Sequence, residues 1–311
     1  MSRKLITIST IMTLMSTSVI ADVPNVAADI SPIHSLVSRV MDGVGAPKLI
    51  VQSGASPHGY RLRPSEAKAL QDADHVFWMG EELTPWLDSA IDTLATKASV
   101  TTLLDQEGII LHDFREGALF EAHDHSAHGD DDHDDHDDHD DHKDHDDHDD
   151  HDDHDDHKDH DDHDDHGSHD PHAWLSPENA KLWLNIIASK LSVSDPENAA
   201  TYFMNAAAGQ AEIEAMIAEV KATLKPVQGG KFVVFHDAYQ YFENDFDFYA
   251  SGAISLGDSS DPSPARIEKV QKRIRDEGIQ CVLAEPQFKK GLVATVMEGS
   301  DATASVIDPL G

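Results

Sequence analysis

Val23–Gln52, VPNVAADISPIHSLVSRVMDGVGAPKLIVQ, places a strand, a helix and a second strand in 30 residues. "VPNVAADI" reads as a short buried strand. "SPIHSLVSRVMDGV" reads as a helix, with Ser31 as N-cap, Pro32 in a first turn that needs no proline N–H, and Gly43 near its end. "PKLIVQ" returns the chain to a strand. Strands alternating with helices predict βαβ units and a mostly parallel sheet. The pattern continues outward: helix "RPSEAKALQDA" with Ser65 near its start, strand "HVFWMG", helix "EELTPWLDSAIDTLA", strand "SVTTLL". This makes a first α/β lobe.

The remainder repeats the theme. "LSPENAKLWLNIIASKLS" is a helix opened by Ser176 and Pro177. From Asp195-Pro196 to Pro226 an Ala-, Glu- and Met-rich stretch predicts one long helix, about 43 Å at 1.5 Å per residue, suited to a rigid connector. "GKFVVFHDAYQYF" restarts the βα pattern. "SPARIEKVQKRIRDEG" is a capped amphipathic helix ending at Gly278, "IQCVLAEPQF" a strand and turn, "KKGLVATVMEGS" a helix, and "ASVIDPLG" a strand at the chain end. The fold class is therefore α/β, with two lobes of mostly parallel sheet joined by one long rigid helix. The expected divisions are residues 22–193 (first lobe), 194–226 (connecting helix) and 227–311 (second lobe). Because a parallel sheet needs both faces covered, a last helix of the second lobe is expected beyond this sequence.

Two segments stand outside this scheme. "MSRKLITISTIMTLMSTSVIA" has Arg3 and Lys4, then a mostly apolar run, then small residues up to Ala21. That is the pattern of a secretory signal peptide cleaved near Ala21, giving an exported, periplasmic chain. Residues 123–168 form a His/Asp-rich insert. His123 to Asp170 hold 25 Asp and two Lys, a charge of −23 out of −36 for the chain. Such acidity excludes nucleic acid, which needs a basic face, and direct lipid binding; cations are the natural partners.

From His133 to His172 a histidine falls at every third position, 14 in all. Period three matches neither a 3.6-residue helix nor a two-residue pleat, and the Asp repel one another. The insert is expected to be disordered and to collect metal ions loosely, as a low-affinity collector or sensor.

A tight centre needs fixed ligands. With Cys281 alone, a thiolate set is excluded, so the donors must be His with a carboxylate or water. Outside the tract stand five His: His34, His58, His75, His112 and His236. His58 follows strand "PKLIVQ", His236 ends strand "KFVVF", and His172 immediately precedes a helix; loops beyond strand ends are where α/β folds bind ligands. His34, on a helix, and His75, opening a strand, read as structural; His112 is undecided.

"SPHGYRLRPS", "DPHAWLSP", "VVFHDAYQYF", "AEPQF" and "IDPLG", in this order, resemble the ZnuA-type zinc-binding proteins of ATP-binding-cassette importers, over nearly the whole mature chain. The resemblance implies zinc in a cleft between two α/β lobes, held by His58, His172 and His236. A fourth ligand would be Asp308 or a water. Some relatives use a Glu directly before the first His; here Pro57 stands there. Related manganese binders carry a carboxylate in place of the third His, so His236 favours zinc. Glu285 is expected to support a ligand or bridge the lobes. Many relatives have a second-lobe disulfide whose far Cys lies in the last helix, which would account for a lone Cys281.

The implied function is a high-affinity zinc receptor, not an enzyme. A monomer would deliver zinc, its transported substrate, to an inner-membrane ABC permease with a cytoplasmic ATPase. The alternatives are a stand-alone extracytoplasmic metal buffer or chaperone and a zinc-dependent hydrolase. The hydrolase is disfavoured by the absence of "HExxH" or a placeable Ser/His/Asp order.

Overall fold

The computed structural model describes residues 23–115, 120, 169–255 and 262–311. The expected signal segment and the insert at 123–168 lie outside them. The described chain forms two compact units. One comprises the segments up to Ile110, Ala173–Gln228 and Pro309–Gly311; the other comprises Leu111–His172 and Gly229–Asp308. The chain thus passes between units directly after Ile110, His172, Gln228 and Asp308.

In the first unit, β1 (Val26–Ala28), β2 (Lys48–Leu49), β3 (His75–Trp78) and β4 (Ser99–Thr102) form a parallel sheet in the order β2-β1-β3-β4. The first connection runs to one side of β1 and the next crosses to the other. This leaves a switch point between the carboxyl ends of β1 and β3. Asp29 sits there, fully buried. Its Oδ1 accepts the Ile30 N–H at 2.8 Å and its Oδ2 the Met79 N–H at 2.7 Å. α1 (Ser31–Val40) therefore does not take Ser31 as its cap as its sequence predicts: Ser31 is already helical, and Asp29 binds the amide before it. α2 (Pro64–Gln71) and α3 (Pro85–Leu94) cover the sheet. α3 starts four residues later than "EELT" suggests, because Pro85 has no N–H to give and fits the first turn. Ala27, Ile50, Leu70, Val76, Trp78, Leu87 and Ile91 make the core on this side.

α4 (Pro177–Ser194) opens as expected, with Ser176 as N-cap and Pro177 in the first turn. The long helix is present as α5 (Ala199–Leu224), flanked by single 3-10 turns at Pro196–Asn198 and Lys225–Val227. α5 packs on α4 and α1. Asn205 Nδ2 donates to the Val40 and Asp42 carbonyls at 3.0 and 2.8 Å, and Arg39 forks onto Glu212 at 2.8 and 2.9 Å. Gly209 sets the closeness of the helices: a Cβ there would stand 2.9 Å from Leu184 Cδ1.

The second unit repeats the sheet. β5 (Phe232–His236), β6 (Ala253–Ser255), β7 (Cys281–Ala284) and β8 (Thr303–Val306) are parallel in the order β6-β5-β7-β8. β6 has no counterpart in the sequence reading; "AIS" is too short and too poor in β-branched residues to declare itself. α6 (Gln240–Phe246), α7 (Pro264–Glu277) and α8 (Lys290–Met297) complete it. α7 is capped by Ser263 and stopped by Gly278 at φ +63°. Val233, Phe235, Ile254, Val270, Ile274, Val282 and Val296 are its core. Cys281, at the start of β7, is a free thiol.

Candidate metal centre

The switch point of the second unit lies between the carboxyl ends of β5 and β7. His236 is the last residue of β5 and Glu285 the first after β7. Topology alone therefore puts them side by side, and the Glu285 Oε1 lies 2.8 Å from His236 Nδ1. Both side chains are buried. A carboxylate beside Nδ1 takes its proton as a hydrogen bond and leaves Nε2 as the lone-pair nitrogen.

His172 is arranged the same way from a different direction. Tyr241 on α6 donates its O–H to the Asp170 carbonyl at 2.7 Å and accepts the His112 N–H at 3.1 Å. The Asp170 N–H in turn donates to the His112 carbonyl at 2.7 Å. Asp170 so anchored presents Oδ1 to the His172 N–H at 3.0 Å and to His172 Nδ1 at 2.6 Å. His172 Nε2 is then also a lone-pair nitrogen. The two Nε2 atoms face each other at 3.3 Å, with ring centroids 5.2 Å apart. Two imidazole lone pairs aimed at one point, each backed by a buried carboxylate, are the arrangement that a cation joins.

Asp308 is the last residue of the second unit, and Gln287 Nε2 donates to its Oδ1 at 2.9 Å. His58 belongs to the first unit, in the loop between β2 and α2. That loop is tied down by Trp86 Nε1, which donates to the Pro57 carbonyl at 2.7 Å. Tyr60 Oη donates to Glu66 at 2.8 Å and its ring packs 5.6 Å from the Trp86 ring. The structural readings of His34 and His75 hold: His34 Nε2 meets the Pro47 carbonyl at 3.3 Å, and His75 Nε2 meets Ser194 Oγ at 2.7 Å. His112 faces Asn244 and packs on Tyr241, so it braces the Asp170 turn.

The family model "Zinc-uptake complex component A periplasmic" (ZnuA) matches residues 26–311. The chain belongs to the ZnuA family. It is 50% identical over 286 residues to the "High-affinity zinc uptake system protein ZnuA" of Brucella abortus (strain 2308), covering 92% of this chain and 84% of that one. The protein of the same description from Paracoccus denitrificans (strain Pd 1222) is 47% identical, over 94% of this chain and 85% of its own. The solved "Crystal structure of ZnuA" shares the fold at a TM-score of 0.70 and 20% identity, covering 93% of this chain and 92% of that chain.

The stretch "VVFHDAYQYF" carries more than its histidine. Arg115, just ahead of the insert, forks onto Asp237 and Glu243. Its Nε donates to the two Asp237 oxygens at 3.0 and 3.1 Å, its Nη1 to Glu243 Oε2 at 2.6 Å. Burial pushes both carboxyls up and Arg115 pulls them back down. Sequence reasoning missed this network and the role of Asp170. Asp170 looked like one more Asp of the tract, and nothing local marks Arg115 as a partner for residues over 120 positions away. The tract's own last members diverge: His169 is half-exposed and pairs with Asp113 at 2.9 Å, whereas His172, three residues on, is buried.

Proposed function

We propose that this chain is a periplasmic receptor that binds zinc tightly and hands it to an inner-membrane ABC permease driven by a cytoplasmic ATPase. The observation that carries the reading is the pair of Nε2 atoms of His172 and His236, 3.3 Å apart and each set by a carboxylate on Nδ1. We assign His172 and His236 as ligands, His58 as the third imidazole, and Asp308 or a water as the fourth donor. Three imidazoles suit zinc over manganese or calcium, which favour oxygen. No helix among the described residues is long and apolar enough to cross a membrane.

A receptor fits better than a hydrolase. The nearest carboxylates, Asp170 and Glu285, are committed to orienting imidazoles, and Gln287 holds Asp308; a metallohydrolase needs a carboxylate or imidazole left to take a proton from bound water. The signal segment would place the chain in the periplasm, and the insert would gather zinc loosely beside the tight centre. The test is reconstitution of the cognate permease and its ATPase in vesicles. Zinc-loaded protein should stimulate ATP hydrolysis and zinc entry, and the His172→Ala/His236→Ala variant should do neither. Tight zinc binding without any stimulation would favour a stand-alone buffer instead.

A further inference from the structure

We propose that Arg115 determines which metal the centre accepts, by filling a cation place that two buried carboxylates beside His236 would otherwise offer to the metal. This rests on the zinc reading above and adds a residue outside the assigned ligand set.

Asp237 directly follows His236, and Glu243 stands on α6, six residues after Asp237. Their side chains are 7% and 1% exposed. Arg115 reaches them with most of its donors. Nε donates to both Asp237 oxygens, Nη2 to Asp237 Oδ1 and to Glu243 Oε1 at 3.3 Å, and Nη1 to Glu243 Oε2. The Phe120 ring lies 3.6 Å from the guanidinium carbon. Arg266 also acts electrostatically on Asp237, yet it donates its Nε and Nη2 to the Ile254 and Ala253 carbonyls at 2.8 and 3.2 Å and makes no fork onto the carboxylate. Asp170, which orients His172, adds a further negative charge acting on Asp237. Asp237, in the turn after β5, and Glu243, on α6, are therefore hard oxygen donors drawn onto Arg115 and apart from the His172 and His236 nitrogens. A guanidinium is permanently charged and its fork matches carboxylates two at a time, so these oxygens are saturated and stay out of the ligand set. Without it, two buried carboxylates lack a countercharge, and a bound cation is what would supply one. An oxygen-rich centre moves toward manganese and calcium and away from zinc.

The experiment measures zinc and manganese affinities of the full chain against a competing chelator. The same titration of His172→Ala/His236→Ala protein supplies the insert's contribution, which is subtracted. In Arg115→Ala the zinc-to-manganese affinity ratio should fall about 10- to 100-fold, the range over which outer partners of metal ligands act. One equivalent of cobalt(II) should lose the intense visible bands of a tetrahedral site. In Arg115→Met/Asp237→Asn/Glu243→Gln, which removes the oxygens along with the guanidinium, the ratio should return toward wild type. Arg115→Lys, a single charge without the fork, should fall in between, and it decides the matter if Arg115→Ala does not fold. An unchanged ratio in Arg115→Ala or Arg115→Lys overturns the proposal, as does an equal fall in the triple variant. Failure of the wild type to bind zinc tightly would instead sink the functional reading itself.

Discussion

At the scale of single residues, the centre depends on tautomers. Glu285 and Asp170 each hold an Nδ1 proton, so each imidazole can bind a metal only through Nε2. Glu285 Oε2 is buried without a hydrogen-bond partner, while Oε1 meets both the backbone N–H and Nδ1 of His236, so this carboxylate is kept in an unfavourable place to hold one histidine. Glu285→Gln should weaken zinc binding about 10- to 100-fold with the fold intact, read by chelator competition alongside circular dichroism. Wild-type affinity in that variant would mean that His236 is oriented by packing alone. The histidines assigned as ligands were legible in the sequence because a His at a strand end or ahead of a helix lies where α/β folds bind. Of their carboxylate partners, Glu285 was expected only to support a ligand or bridge the lobes, without His236 as its named partner, and Asp170 was not marked at all. Glu285 is 49 positions from His236, and only the parallel pairing of β5 with β7 joins them.

At the scale of elements, both units use the same strand order and load the same switch point differently. In the second unit it carries His236 and Glu285. In the first it carries Asp29, whose carboxyl is pushed up to about 7 by burial, with the Met79 and Ile30 amides pulling it back. Between the ordinary carboxylate value and about 7 the folded chain keeps this proton and the unfolded chain has lost it. The folded state then binds more protons, so this residue's contribution to stability falls as pH rises through that window and levels off above it. Asp29→Asn should remove the dependence. The unfolding free energy of the wild type, followed by thermal melts, should drop relative to the variant from pH 4 to 7, by an amount on the order of 4 kcal/mol at most. Parallel curves would show that Asp29 titrates normally.

The helix pairing makes a second prediction at this scale. Gly209→Val should lower the unfolding free energy measured in urea by about 1–3 kcal/mol, since its branched side chain would collide with buried Leu184. The boundaries of these elements were less legible than their existence. α1 begins at Ser31 after Ile30, whose amide is held by Asp29, α3 waits for Pro85, and β6 has no hydrophobic signature; in each case the deciding contact is with a distant strand or a single proline.

At the scale of the whole molecule, the conspicuous feature of the sequence is the His/Asp repeat, yet the centre is built from scattered positions. The repeat shares its register with His172; of its two described members, His169 is half-exposed and His172 is buried against Asp170. Chain crossings at His172 and Asp308 put two assigned ligands where the second unit ends. The most direct measurement is zinc titration calorimetry on three proteins: the full chain, the chain lacking residues 123–168, and the full chain with His236→Ala. The account predicts one tight zinc per molecule in the first two, with only the weak sites lost on deletion, and loss of the tight site in His236→Ala. Loss of the tight site on deletion together with its survival in His236→Ala would contradict it.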